Sequence, residues 1–520
     1  MRYAKLSRAA GILALVALGA CKSLDVVNPN EPDAGRALTD PAALEALAGG
    51  TLRTWWNAWM GMESGGVMTT QAQSFSSSWN NYNMYFYSAI DGDGTRNSRS
   101  WQNDPAATGR TSVEWLWTNY YSTLSSANDV IKAIREGGVV IGSPADTKRA
   151  EAVALLMQGA TLSGIAMNYD KGYIVDETTD VSTLAYSNRK EIRDAAVTKL
   201  LEAATLAKAN VFATPAGWTN GRSYSNDQIA RVAYTMAAMT LAYWPRNAAE
   251  NTAVNWATVA TYAAQGMSSG TRFDFLFVGD GCVSWCPQIL TWFNDISSGR
   301  VHTRVANLLD PVTQKTPYPA GGNPQPNSPD RRLGDGSFGD EDLTSGFGTI
   351  PKTANGGTDF AWSADEVFRP DRGSYHQSNI GHMRYDLSGV QDPTGIWAGY
   401  GPAPSISAGM NDLIWAEALI RSGGSLGTAA SLINNTRVTR GGLPPAAAGD
   451  GTAGLLAKLQ YENEIELIGL GAVPFYNRRR IDGLITGTPR EMPVPAKELG
   501  VLGEPLYTWG GATPSSPTPP

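Results

Sequence analysis

Apolar residues recur every three or four positions along much of this chain. Val113, Leu116, Trp117, Tyr120, Leu124, Ala127, Ile131 and Ile134 form one such stripe. It predicts a helix that starts near Thr111 and stops at Gly137-Gly138. Asp40 followed by Pro41 reads as an earlier helix start, with Ala43, Leu44, Leu47 and Ala48 continuing it. Further helical stretches are expected at about 146–168, 189–209, 226–243 (ended by Pro245) and 256–267. Helical spacing resumes after Ser407, through Met410, Leu413, Ile414, Glu417, Ala418 and Ile420, then at 428–437 and 455–470. Helices of two to six turns joined by short connectors suit pairs that cover one another's apolar faces. The expected class is mostly α, with tetratricopeptide-like helix pairs forming an α-α superhelix. No strict 34-residue sequence repeat accompanies it.

The pattern lapses twice. Residues 61–107 are polar and glycine-rich, yet carry Trp79, Tyr82, Tyr85, Phe86, Tyr87 and Trp101. A long irregular stretch with this aromatic content argues for function rather than disorder. Residues 268–401 are dominated by Pro, Gly, Asn and Asp, with Trp285, Trp292, Phe293, Tyr318, Trp362, Tyr375 and Trp397 scattered among them. The expected organisation is one domain over 38–510. Its helical scaffold covers about 38–267 and 407–470, its loop-rich, ligand-facing region about 268–401, and a disordered Pro/Ser/Thr-rich tail follows at 511–520.

The first residues change the setting. Arg2, Lys5 and Arg8 precede a short apolar run at 9–20, which ends in Leu18-Gly19-Ala20-Cys21. Basic, then apolar, then small residues mark an export signal over 1–20, too short for a comfortable membrane span. Cysteine just after the cut is the signature of a lipoprotein, so Cys21 is the expected lipidation site and first mature residue. Two prolines and two asparagines make 21–37 an extended tether. Loss of the three cations takes the net charge from −7 to about −10. An acidic chain without Lys/Arg blocks argues against nucleic acid as the main partner.

The chain holds three cysteines. Besides Cys21 these are Cys282 and Cys286, a close pair that an oxidising compartment is expected to bond. Free thiols and a metal site are the rival readings. The metal lacks partners, because His302, His376 and His382 do not flank the pair at zinc-ligand spacing. No cofactor is implied.

The pieces then fall into a familiar order. Leu24-Asp25-Val26-Val27-Asn28-Pro29-Asn30 follows the lipid cysteine. Trp117-Thr118-Asn119-Tyr120-Tyr121 leads into Ala127-Asn128-Asp129-Val130-Ile131, and Glu151 to Tyr169 forms an Ala-rich helix. Ser328-Pro329-Asp330-Arg331-Arg332 comes next, then Glu417-Ala418 with Ile433-Asn434-Asn435-Thr436-Arg437 and Gly442-Leu443-Pro444. Thr488-Pro489 and Pro493-Val494-Pro495-Ala496-Lys497-Glu498-Leu499 close the series. Together they resemble the SusD/RagB-like outer-membrane nutrient-binding lipoproteins over nearly all of the mature chain. The late helix departs from the family's acidic-basic pair, reading Glu462-Asn463-Glu464-Ile465-Glu466-Leu467. The resemblance implies a helical lid over a SusC-like TonB-dependent transporter. It also implies an outer-membrane location with the lipid as anchor, facing the cell exterior, and binding without cleavage of an oligomeric nutrient, most often a glycan.

Catalytic motifs do not compete with this reading. Neither a Gly-X-Ser-X-Gly elbow, a His-Glu-X-X-His pair nor a Walker loop occurs. Asp91-Gly92-Asp93-Gly94 fails the EF-hand pattern at Thr95 and Arg96 and reads as a turn. Asp340-Glu341-Asp342 keeps an exported helical polysaccharide hydrolase or lyase as the alternative. A structural surface protein without a soluble ligand is a third possibility. Sixteen Trp and twenty Tyr suit a binder of sugars, whose C–H faces stack on flat rings while amides hydrogen-bond their hydroxyls. Helical aromatics Trp115, Trp117, Tyr120 and Trp244 are expected in the core. The loop candidates for ligand contact are Trp79, Tyr82 and Trp101, flanked by Asn80, Asn81, Asn83 and Asn103, with Trp292 beside Asn294 and Asp295. These two regions are also where the resemblance places ligand aromatics.

Overall fold

Ser143, Asn188 and Ser225 each precede a long helix, and each side chain accepts from the backbone N–H three residues on while Asp146, Glu191 or Gln228 reaches back. These reciprocal capping boxes fix where the central helices begin. The computed structural model describes residues 38–77, 79–88, 100–294, 299–319, 321–337, 355–363, 376–385 and 399–517. Cys21, the export signal, the tether, Asp295 and the acidic stretches at 91–94 and 340–342 lie outside the described residues.

The first half comprises α1 (Pro41–Trp59), α2 (Val67–Gln71), α3 (Met84–Ser88), α4 (Thr111–Arg135), α5 (Pro144–Asn168), α6 (Arg189–Ala209), α7 (Asn226–Tyr243), α8 (Ala248–Thr252) and α9 (Trp256–Ala263). Neighbours in this series pack in sequence, α1 on α4, α4 on α5, α5 on α6 and α6 on α7. Every residue of α5 from Arg149 to Asn168 is buried. This helix is long and apolar enough to cross a membrane, but it is the axis of the helical stack. A Cβ on its Gly164 would sit 2.4 Å from the Tyr120 ring of α4, so glycine there sets how closely the two helices approach. The expected core aromatics Trp117, Tyr120 and Trp244 are buried, whereas Trp115 is only half-buried.

After α9 come α10 (Gln288–Asn294), α11 (Thr303–Leu309), α12 (Ala408–Ser422), α13 (Leu426–Arg437), α14 (Gly451–Ile465), α15 (Val473–Arg479) and α16 (Ala496–Leu502). α12 packs on α9 and α13, so the late helices extend the early stack. The region expected to be irregular contains short antiparallel ribbons. β1 (Phe75–Ser76) pairs with β5 (Arg300–Val301), β6 (Phe360–Trp362) with β7 (Ile380–His382), and β4 (Phe275–Asp280) with β8 (Tyr400–Ile406). β2 (Lys171–Gly172) and β3 (Ser187–Asn188) form a fourth ribbon in the helical half.

Two assemblies tie the late segments down. Arg332 is fully buried and reaches Asp330 Oδ2 at 2.7 Å, Glu462 Oε2 at 2.8 Å and Glu466 Oε2 at 3.1 Å. Glu466 also takes Arg384 at 2.8 Å and Arg440 at 2.9 Å. The acidic departure in the late helix is therefore neutralised by arginines brought from other segments, as buried charge requires. The second assembly is the C-terminal segment. Met492 N–H donates to Asn168 at 2.6 Å, Arg490 N–H to Pro514 at 2.8 Å and Ser516 N–H to Glu491 at 2.5 Å. The expected fraying at 511–520 is corrected through residue 516 by these bonds; 518–520 lie outside the described residues.

Candidate ligand-binding site

β4 delivers the chain into a five-residue loop that Cys282 and Cys286 close with a disulfide. Asp280 braces this loop from its base, its Oδ1 accepting the N–H groups of Val283 (3.0 Å), Ser284 (3.1 Å) and Trp285 (3.0 Å). Trp285 is buried, 5.7 Å from the Trp56 ring and 5.9 Å from that of Phe277, while Val283 at the tip is 82% exposed. Wide rings anchor one side of the loop and leave the other in solvent.

A pocket of about 200 Å³ lies beside it, lined by Asn57 of α1, Trp115 of α4, the disulfide loop and Gln288 at the start of α10. Gln288 links several parts. Its Oε1 accepts from Met62 N–H at 2.9 Å and its Nε2 donates to the Tyr82 hydroxyl at 3.4 Å. One turn along α10, Trp292 meets Tyr82 edge-on, with ring centroids 5.2 Å apart at 88°. The pocket thus adjoins a shelf of two half-buried rings. Tyr82 is held there with φ 53°, a left-handed conformation uncommon for an aromatic residue and frequent at sites where function fixes the backbone.

The polar atoms here are incompletely satisfied. Asn57 Oδ1, Trp115 Nε1 and Glu63 Oε2 are buried without a hydrogen-bond partner among the described residues. Buried polar atoms in folded proteins are nearly always paired with protein or water, so these three are open to hydrogen bonds with a ligand or with solvent. Burial pushes the Glu63 carboxyl up. Burial, with the Glu63 charge second, also raises the Tyr82 phenol, so it stays a neutral donor. The arrangement offers flat apolar faces ringed by amide, indole and hydroxyl groups. Among the described residues no three His, Cys, Asp or Glu side chains are grouped to hold a metal ion.

Of the candidates read from sequence, the structure brings Tyr82 and Trp292 together. Trp79 is 38% exposed on the loop after β1, and Asn81 is exposed at the turn that presents Tyr82. Trp101 and Asn103 are corrected. Trp101 is 2% exposed, its indole donating to Glu491 O at 2.8 Å. Asn103 Nδ2 donates to Val494 O and Tyr507 O, both at 2.9 Å, and its Oδ1 accepts from Ala496 N–H at 2.8 Å. Both clamp the C-terminal segment, which covers the polar loop that carries them. Sequence reasoning missed Asn57, Gln288 and Trp115. Trp115 had a signal: it falls outside the buried stripe that Val113, Leu116, Trp117 and Tyr120 define.

Solved structures share this architecture. A SusD homologue from Bacteroides thetaiotaomicron VPI-5482 is 11% identical, covering 92% of this chain and 98% of its own, with a TM-score of 0.54. A SusD-like protein from Bacteroides fragilis NCTC 9343 is 15% identical over 85% of this chain and 86% of its own, at TM-score 0.55. A SusD-like carbohydrate-binding protein from Bacteroides vulgatus ATCC 8482 is 14% identical over 83% and 82%, at TM-score 0.52. No family model matches the sequence, and no curated protein does. The chain has the fold of the SusD superfamily.

Proposed function

We propose that this chain is a SusD-superfamily nutrient-binding lipoprotein. It captures an oligomeric substrate, a glycan, and passes it to a SusC-like TonB-dependent transporter. The observation that carries the reading is the Tyr82–Trp292 shelf beside a pocket with unpaired polar atoms. Sugars offer that combination of flat C–H faces and hydroxyls, and a structural neighbour of the same fold is a carbohydrate-binding protein. Cys21 carries the lipid that holds the chain to the outer membrane, on the exterior face.

Electrophoresis in gels cast with different polysaccharides tests the reading. The full chain is expected to be retarded by at least one polymer and to release no new reducing ends from it. Retardation by none, or steady release of reducing ends, overturns it, the latter in favour of a hydrolase or lyase. For the anchor, metabolic labelling with a palmitate analogue is expected to mark the wild type and not Cys21→Ala, and the wild type to co-purify with an outer-membrane β-barrel.

A further inference from the structure

A second cleft, of about 330 Å³, lies where α4 faces the segment 171–184. From Trp115 at the first site to Asp129 in this cleft is fourteen residues of one helix, about 21 Å at 1.5 Å per residue. The two places are therefore separate. The volume is at the lower end for small-molecule sites.

Its lining combines apolar surface with groups that hydrogen-bond. Leu124 and Val175 are apolar, and the rings of Tyr121 and Tyr173 meet edge-on at 5.9 Å. Asp129 is half-buried and has no hydrogen-bond or ion-pair partner among the described residues. Burial pushes its carboxyl up, against the pull of Lys132 one turn on. A partly desolvated carboxylate left unpaired is costly, and a ligand hydroxyl would relieve it. Lys132 is itself held only loosely, 4.0 Å from Glu136.

The partners of the charged groups show which of them a ligand would meet. Asp129, Asp176 and Glu177 are the cleft's carboxylates. Against them stand Lys132, Lys199 (3.2 Å from both Asp176 and Glu177) and Arg135 (2.8 Å from Glu177). Arg135 is shared with Glu151 (2.8 Å) and Glu202 (2.6 Å), so Asp176 and Glu177 are engaged within the protein and Asp129 is left as the acceptor that a ligand would meet. A molecule rich in hydroxyl donors, with one apolar face for Leu124, Val175 and the tyrosine rings, matches it. We propose that this cleft is a second subsite, which takes one or two units of a saccharide. The saccharide class rests on the glycan-binding reading; the separateness of the cleft does not.

Saturation-transfer NMR on the full chain tests it, with an equimolar mixture of maltose, cellobiose, xylobiose, mannobiose and chitobiose. At least one disaccharide should give a signal that survives Trp292→Ala. Asp129→Ala should weaken it about tenfold, the loss expected when a charge-assisted hydrogen bond is removed. Ser125→Trp, which fills the mouth from an exposed position, should abolish it without lowering the melting temperature. A signal from none of the sugars, or one lost in Trp292→Ala and intact in both cleft variants, overturns the subsite. If polysaccharide gels still retard the protein in that case, the glycan-binding reading stands without it. An Asp129-dependent signal with no retardation in any gel would instead sink the first site and keep this one.

Discussion

Trp292 and Trp101 carry the same side chain in opposite circumstances. Trp292 is half-buried against Tyr82, one helical turn from the pocket-lining Gln288, whereas Trp101 is sealed under the C-terminal segment. Trp292→Ala is expected to weaken glycan capture by about 2 kcal/mol or more, the scale of an interfacial hot spot, and to leave the melting temperature nearly unchanged. Trp101→Ala should cost about 3–5 kcal/mol of stability in urea titrations, as large-to-small changes of buried aromatics do. A variant that reverses this pattern would exchange the roles assigned to the two residues. Composition pointed to both, because both stand in polar, asparagine-rich stretches. It could not separate them, because the covering partner of Trp101 lies 390 residues away. Burial by a distant segment leaves no local mark, whereas the register of Trp115 against its own helix does.

At the scale of elements, helices were legible and ribbons were not. A stripe repeated over twenty residues is a strong signal, and α6 and α7 begin and end where the pattern placed them. β1 and β5 are two residues long, too short for alternation to register. Their pairing depends on what surrounds them. The Asp330-Arg331-Arg332 segment illustrates the difference: the residues were noticed, and their part in the fold comes only from packing against α14. Arg332→Met is expected to destabilise the protein by about 3–5 kcal/mol, because it takes the guanidinium from two buried carboxylates, leaving Asp330 the Tyr461 hydroxyl at 2.8 Å and Glu462 the more distant Arg437 at 3.6 Å. Chemical denaturation reads this directly, and glycan retardation of the surviving folded fraction should be unchanged. A loss below about 1 kcal/mol would mean that the carboxylates find protons or water, and the network would then contribute little.

Over the whole molecule, the C-terminal segment is what joins the end of α5 to the polar loop at 100–110, and one group makes that junction depend on pH. Asp170 follows α5 and accepts from the Tyr507 hydroxyl at 3.0 and 2.9 Å. Burial, reinforced by the Glu491 charge, pushes its carboxyl up to about 7. In the unfolded chain the same group titrates near 3.9. Between those values the native state holds a proton that the unfolded state has lost, so this group's contribution falls as pH rises and is fully lost above about 7. His382 acts in the other direction: burial lowers its imidazole to about 3, so the unfolded chain gains protons first as pH falls below about 6.5. The wild-type profile therefore mixes opposed slopes, and Asp170→Asn separates them, because the amide oxygen still accepts from Tyr507 without ever ionising. The stability of Asp170→Asn relative to wild type should grow from pH 5 to pH 7 by up to ~1.4 kcal/mol per pH unit and level off by pH 8, measured by urea unfolding at each pH. A difference that stays flat across this range would show that Asp170 ionises normally in the folded chain. The closing segment would then be held by packing and backbone hydrogen bonds alone.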